Sequence, residues 1–288
     1  MRSENMKVKT VMVIGAGQMG GGIAQVMAAA GIKTYLNDMD MEIVKKRIVF
    51  IEGLLTKSVS KGKMTEEQKD STLQNLIPSV KLEDASDCDL VVEAIVENME
   101  IKSKVFRSLD EICKANCILA SNTSSLPITE IAASTKRPEK VIGMHFMNPV
   151  PIMKLVEIIR GLATTDETYQ AIHDLTLALN KTPVEVRDVP GFISNRVLQM
   201  MINEAIYCLY EGVASVEDID TVMKLGMNHP MGPLQLADFI GLDTVLAIME
   251  TLHEGYADSK YRPSPLLRQY VKAGWLGKKV GRGFYQYD

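Results

Sequence analysis

Six residues near the start of the chain leave few folds open. The apolar run VMVIG (11–15) passes directly into Gly15-Ala16-Gly17-Gln18-Met19-Gly20 and from there into IAQVMAAAG. A β-rich run, a glycine loop and a helically periodic stretch in that order predict a strand, a tight turn and a helix. In such a turn the first glycine permits the bend, the second lets backbone approach a pyrophosphate, and the third allows close helix packing, while the helix N-terminus faces phosphate charge. A GxGxxG alone is weak support. Here the next β-rich run, TYLND (34–38), ends on Asp38, about twenty residues further on. A carboxylate there accepts hydrogen bonds from an adenine ribose and repels a 2′-phosphate. The pattern predicts a dinucleotide, with NAD favoured over NADP, and Asn37 beside the acid leaves NADP open.

Up to about residue 188 short β-rich runs continue to alternate with longer helical ones, DLVVEAIV (89–96) and CILASN (117–122) being the clearest further strands. That alternation argues for parallel strands joined by crossover helices. Between the second and third runs lies a lysine-rich insertion (40–76), whose Ile43, Val44, Ile48, Ile51, Leu54 and Leu55 recur at helical spacing. After Val189-Pro190-Gly191 the segments FISNRVLQMMINEAIYCLYEG, VEDIDTVMKLGM, LQLADFIGLDTVLAIMETLHEG and PLLRQYVKAG are all helically periodic. The expected fold is therefore α/β: a Rossmann-like doubly wound sheet over 1–188, followed by an all-helical domain over 189–288. The 288 residues suffice for two cores. The second domain's helices are strongly apolar and carry many of the 18 methionines, so a homodimer or higher homo-oligomer built on them is expected, with a well-packed monomer as the alternative.

A net charge of −4 provides no global field that would draw the chain to nucleic acid or an anionic membrane, so a basic ligand site has to be local. No apolar stretch approaches the ~20 residues of a membrane span. MRSENMKVKTVMVIG enters its strand without a cleavage-like site, which speaks against a secretory leader. Cys88, Cys113, Cys117 and Cys208 show neither CxxC spacing nor a dense disulfide pattern, and Cys113 and Cys117 read as ordinary buried thiols. No metal site is expected, and the compartment is read as reducing, cytoplasm or matrix.

The segment VIGMHFMNPVPIMKLVEIIRG reads as strand, proline-bounded turn and strand. If its arms pair antiparallel about Pro151, position 145 faces position 157, and directly opposed side chains have Cβ atoms about 5 Å apart. A carboxylate at Glu157 then orients the His145 ring and fixes its tautomer, as a general base needs for removing an alcohol proton while hydride leaves the same carbon. Spacing alone equally admits a core histidine tied to a structural glutamate. His173, His229 and His253 lack a comparable partner. Ser121-Asn122-Thr123-Ser124-Ser125 follows a strand, where ligands of open α/β sheets bind; a capped helix start before PITEIAA is the alternative. Asn195, on the first helix of the second domain, sits between apolar neighbours, and its amide is expected to face the cleft between domains.

Taken together, GAGQMGGGIAQ, DLVVEAIVEN, ILASNTSSLPIT, GMHFMNPVPIMKLVEII, PGFISNR, NHPMGPLQLADFIGLD and the closing GWLGKKVGRGFY closely resemble the L-3-hydroxyacyl-CoA dehydrogenases, above all the single-function bacterial enzymes acting on 3-hydroxybutyryl-CoA. The resemblance covers essentially the whole chain. It implies that His145 is the catalytic base and Glu157 its partner, with Ser124 and Asn195 holding the substrate oxygen. By the same resemblance Gly15, Ala16, Gly17, Gln18, Met19, Gly20, Asp38, Glu97, Lys102, Asn148 and Lys279 line the NAD site, while Glu93 is a nearby structural acid. Family members hold coenzyme A phosphates through basic residues in the insertion, which points to Lys57 and Lys61, one helical turn apart; a solvated helix face is as good a reading for either. Lys45, Lys46 and Arg47 are assigned to such a face. Two rivals stay open: a sugar-acid (gulonate-type) dehydrogenase of the same fold, and a non-catalytic dinucleotide-binding scaffold. Because the chain closes on GRGFYQYD, no enoyl-CoA hydratase half is expected.

Overall fold

The computed structural model describes residues 8–287; residues 1–7, which include the polar start of the run expected to lead into the first strand, and residue 288 lie outside the described residues. The chain divides into one unit ending at Asp188 and a second beginning at Val189.

In the first unit, β1 (Thr10–Ile14), β2 (Lys33–Asn37), β3 (Leu76–Ser79), β4 (Leu90–Glu93), β5 (Ile118–Ser121), β6 (Val141–Phe146), β7 (Leu155–Arg160) and β8 (Thr182–Arg187) form one sheet in the order β3-β2-β1-β4-β5-β6-β7-β8. All neighbours run parallel except β6 and β7, which pair antiparallel. The order reverses between β1 and β4, so the carboxyl ends of those strands open a crevice of the kind that receives ligands in α/β folds. Val11, Met12 and Val13 are fully buried. A strand covered on both faces reads as a continuous apolar run, as this one does, and each such side chain contributes roughly 1.5–3 kcal/mol. Helices α1 (Gln18–Ala29), α4 (Met99–Ile112), α5 (Ile128–Ala133) and α6 (Asp166–Ala178) complete the crossovers.

The insertion folds as α2 (Met41–Ser60) and α3 (Glu66–Asn75). Of its six apolar positions only Val44, Ile51 and Leu55 are buried, while Ile43 and Leu54 are exposed. Strands β3 and β8 are absent from the sequence reading, because each contains a proline, Pro78 and Pro183. Both lie at the sheet's edges, where a missing ladder N–H is tolerated. DLVVEAIV yields a strand only through Glu93, after which the chain leaves the sheet with Ala94 against Gly15 of the glycine loop.

The second unit consists of α7 (Ser194–Tyr210), α8 (Val216–Thr221), α9 (Pro233–Ile240), α10 (Leu242–Tyr256) and α11 (Pro265–Lys272) with short turns, around a core that includes Ile202, Ile206, Leu234, Val245 and Leu267. Two buried carboxylates tie down its last residues. Asp238 accepts from the amides of Phe284 and Tyr285 and the Tyr287 hydroxyl, and Asp220 accepts from the amides of Leu234 and Gln235 and the Tyr285 hydroxyl. The four cysteines are free, and no helix among the described residues is long and apolar enough to cross a membrane.

Candidate active site

The antiparallel arms of β6 and β7 set His145 opposite Glu157, the register that a symmetric count about Pro151 predicts. Both residues are buried, at 6% and 1% exposure, and the imidazole Nδ1 lies 2.8 Å from Glu157 Oε2. A carboxylate only accepts, so Nδ1 is the nitrogen that donates to it, and in the neutral ring of that tautomer the lone pair falls on Nε2. Ser124 Oγ sits 3.1 Å from that Nε2. The glutamate thus fixes the tautomer, and the unprotonated nitrogen shares its position with a hydroxyl, an arrangement suited to taking a proton from an alcohol.

Ser124 belongs to the turn after β5, and one carboxylate holds that turn in shape. Glu97 Oε1 accepts from Thr123 Oγ1 at 2.6 Å, from the amides of Ser124 and Ser125 at 2.9 and 3.0 Å, and from Ser125 Oγ at 3.1 Å. The helix that follows is capped from elsewhere: Asp188 accepts from the amides of Ile128 and Thr129, so the serine cluster is not its cap. Beneath the turn, Lys102 is 1% exposed and its ammonium lies 2.6 Å from Glu93 Oε1 and 3.3 Å from Glu97 Oε2. Glu93, fully buried, also accepts from Ser121 Oγ at 2.7 Å and the Ile95 amide at 2.7 Å. Burial pushes the Glu97 carboxyl up; the Lys102 ammonium, the Thr123 hydroxyl and the amides of Ser124 and Ser125 outweigh it and hold the group below its ordinary value.

A depressed carboxyl stabilises the fold above its unfolded value near pH 4 and loses that contribution as pH falls through the folded value. Glu97→Gln is therefore expected to melt below the wild type at neutral pH, with the two melting temperatures converging below about pH 4. A gap of equal size at about pH 3 and about pH 7 would contradict an ionised clamp.

The glycine loop joins β1 to α1. Gly15 has φ +101°, and a Cβ there would fall 2.5 Å from Ala94 O; one on Gly20 would fall 1.8 Å from Gly15 O. Around Gly17, by contrast, no heavy atom of the described residues beyond its own chain neighbours lies within 4 Å of a built Cβ. The two outer glycines close the turn and the middle one leaves a bare backbone facing open space, the cradle a pyrophosphate requires. Asp38 follows β2 and accepts from the Ala16 amide at 2.8 Å and the Met39 amide at 2.8 Å. Ala16 is buried, Met19 packs partly against the core, and Gln18 Nε2 donates to Asn148 Oδ1 at 2.9 Å. These residues fit a dinucleotide.

Lys57 and Lys61 border a cavity of about 570 Å³ between α2 and the Asn148–Ile152 turn, with Phe50 and Leu54 on its wall. Two cations that sequence reasoning passed over, Lys63 and Arg47, border it as well. Arg47 departs from the solvated face assigned to it: its Nε donates to Ala16 O at 2.9 Å. Its neighbour Lys45 does face solvent, pairing with Glu42. Three consecutive basic residues carry no signal that separates them, so only the fold does. In the second unit, Asn195 occupies the second position of α7, and Lys279 Nζ lies 2.6 and 2.7 Å from the Asp243 carboxylate oxygens.

A glycine-cradled nucleotide loop at the switch point of a mostly parallel sheet, together with a carboxylate-oriented histidine on the same sheet, defines a dinucleotide-dependent oxidoreductase. Residues 10–189 match the NAD binding domain of 3-hydroxyacyl-CoA dehydrogenase, and residues 191–287 match its C-terminal domain. The chain belongs to the 3-hydroxyacyl-CoA dehydrogenase family, and its cofactor is NAD. It is 56% identical over 280 residues to the 3-hydroxybutyryl-CoA dehydrogenase of Bradyrhizobium diazoefficiens, covering 97% of this chain and 96% of that protein. With human mitochondrial hydroxyacyl-coenzyme A dehydrogenase it shares 46% identity over 288 residues, 97% of this chain and 91% of that one. The crystal structure of (S)-3-hydroxybutyryl-CoA dehydrogenase from Ralstonia eutropha superposes with a TM-score of 0.96 at 48% identity, covering 98% of this chain and 100% of that chain.

Proposed function

We propose that the chain interconverts (S)-3-hydroxybutyryl-CoA and acetoacetyl-CoA with NAD. The observation that carries the reading is the single imidazole held between Glu157 on one nitrogen and Ser124 on the other. In the oxidative direction His145 Nε2 takes the proton of the 3-hydroxyl while the C3–H bond breaks and the carbonyl forms. NAD, when bound, supplies the acceptor for the hydride. Glu157 stabilises the imidazolium so formed, which then returns its proton to solvent. Ser124 and Asn195 hold the substrate oxygen and the acyl portion. Reduction retraces the path.

Gly15 to Gly20, Asp38, Asn148 and Lys279 line the cofactor site in this reading, and Glu97 and Lys102 shape it from below. Lys57 and Lys61 take the phosphates of coenzyme A as point charges. The enzyme works as a homodimer through its helical unit, in the cytoplasm, within butanoate and fatty acid metabolism.

The test is the loss of reduced-nicotinamide absorbance on adding acetoacetyl-CoA. NADH is expected to be consumed, and NADPH at least about tenfold more slowly, because the Asp38 carboxylate opposes a 2′-phosphate. Oxidation of gulonate with no turnover of acetoacetyl-CoA would replace this reading by the sugar-acid one.

A further inference from the structure

The peptide of Ala16, second residue of the glycine loop, is held at both ends. Its N–H donates to Asp38 Oδ2 at 2.8 Å, and its carbonyl accepts from Arg47 Nε at 2.9 Å. The arginine reaches it from α2 by crossing the face of α1 at Gly21, where an added Cβ would lie 2.3 Å from Arg47 Cδ. Gly21 is thus a glycine that makes room for a side chain, outside the GxGxxG pattern. The guanidinium carbon stands 5.2 Å over the Phe50 ring. Nη1 and Nη2 make no protein hydrogen bond among the described residues, and Arg47 borders the same cavity as Lys57, Lys61 and Lys63.

The geometry points to Arg47 as a positioning residue that couples the two ligand sites. One edge of its guanidinium braces the loop that receives the dinucleotide, and the other edge offers a fork to a phosphate of the coenzyme A carrier. A ligand that draws on the fork fixes the Nε edge against Ala16, so each ligand tightens the other by the same factor, as linkage requires. A lysine at this position carries the charge and lacks a rigid plane with two edges, so it cannot serve both sites at once. The inference rests on the assignment of the cavity to the coenzyme A portion of the substrate.

The probe is coenzyme A itself, which has no acyl group to react. NADH affinity is measured by titration with and without saturating coenzyme A. In the wild type, coenzyme A is expected to tighten NADH binding by about fivefold or more. Arg47→Lys is expected to remove that factor while still binding each ligand singly. Gly21→Ala, which displaces the arginine without altering it, is expected to do the same. Lys57→Gln and Lys61→Gln are expected to weaken coenzyme A and to keep the factor once the site is saturated. Absence of coupling in the wild type, or full coupling in Arg47→Lys or Gly21→Ala, overturns the role of Arg47 alone. Unchanged coenzyme A affinity in both lysine variants overturns the cavity assignment, and the coupling with it.

Discussion

Replacing His145 by glutamine is expected to lower kcat by about 10²- to 10⁴-fold, the range that a positioned acid–base group supplies, while NADH still binds. The two effects separate because His145 sits on β6, whereas the glycine loop is held by Asp38, Arg47 and the backbone of residues 94–95. Glutamine retains an amide donor for Glu157, so the buried carboxylate keeps a partner and the hairpin keeps its register. What it lacks is a basic nitrogen facing Ser124. Steady-state kinetics with acetoacetyl-CoA, beside a fluorescence titration with NADH, measure both halves. Near-normal turnover would remove the histidine from proton transfer.

The second large effect is expected in the glycine loop, where two substitutions of one methyl group part folding from binding. In Gly20→Ala the new Cβ meets Gly15 O at 1.8 Å, a contact that backbone cannot absorb without the turn opening. The expected cost is about 1–3 kcal/mol in stability, with NADH affinity falling by about tenfold or more as the pyrophosphate cradle opens. In Gly17→Ala the methyl enters open space, so the melting temperature should stay at the wild-type value. NADH affinity should still fall by about tenfold or more, because that space is where the pyrophosphate approaches the backbone. Wild-type affinity in Gly17→Ala would show that the loop cradles something else. Thermal unfolding with NADH titration on both variants decides it.

The parts of this site that were legible in the sequence are those in which one short segment carries both partners. The glycine loop and Asp38 belong to consecutive strands, and His145 and Glu157 lie on the two arms of one proline-cornered hairpin, so simple counting brings each pair together. The change at Val189-Pro190-Gly191 from alternating to helical patterning was visible for the same reason. Features that depend on contacts between distant segments were not. DLVVEAIVENMEIK carries Glu93, Glu97 and Lys102 together, but nothing in it shows that Glu97 also clamps the turn after β5, because Thr123, Ser124 and Ser125 come from a distant segment. Arg47 looks like Lys45 and Lys46 until α2 is laid against the loop. Strands β3 and β8 escaped because edge position, which excuses their prolines, is a property of the finished sheet.

The most direct measurement is a crystal structure of the protein with NAD and acetoacetyl-CoA, a pair in which both partners are oxidised and no turnover occurs. The 3-oxygen of the thioester is predicted to lie within hydrogen-bonding distance, about 2.6–3.2 Å, of both His145 Nε2 and Ser124 Oγ, with C3 against nicotinamide C4. A complex in which the thioester carbonyl and the nicotinamide meet away from the His145 imidazole would contradict the account.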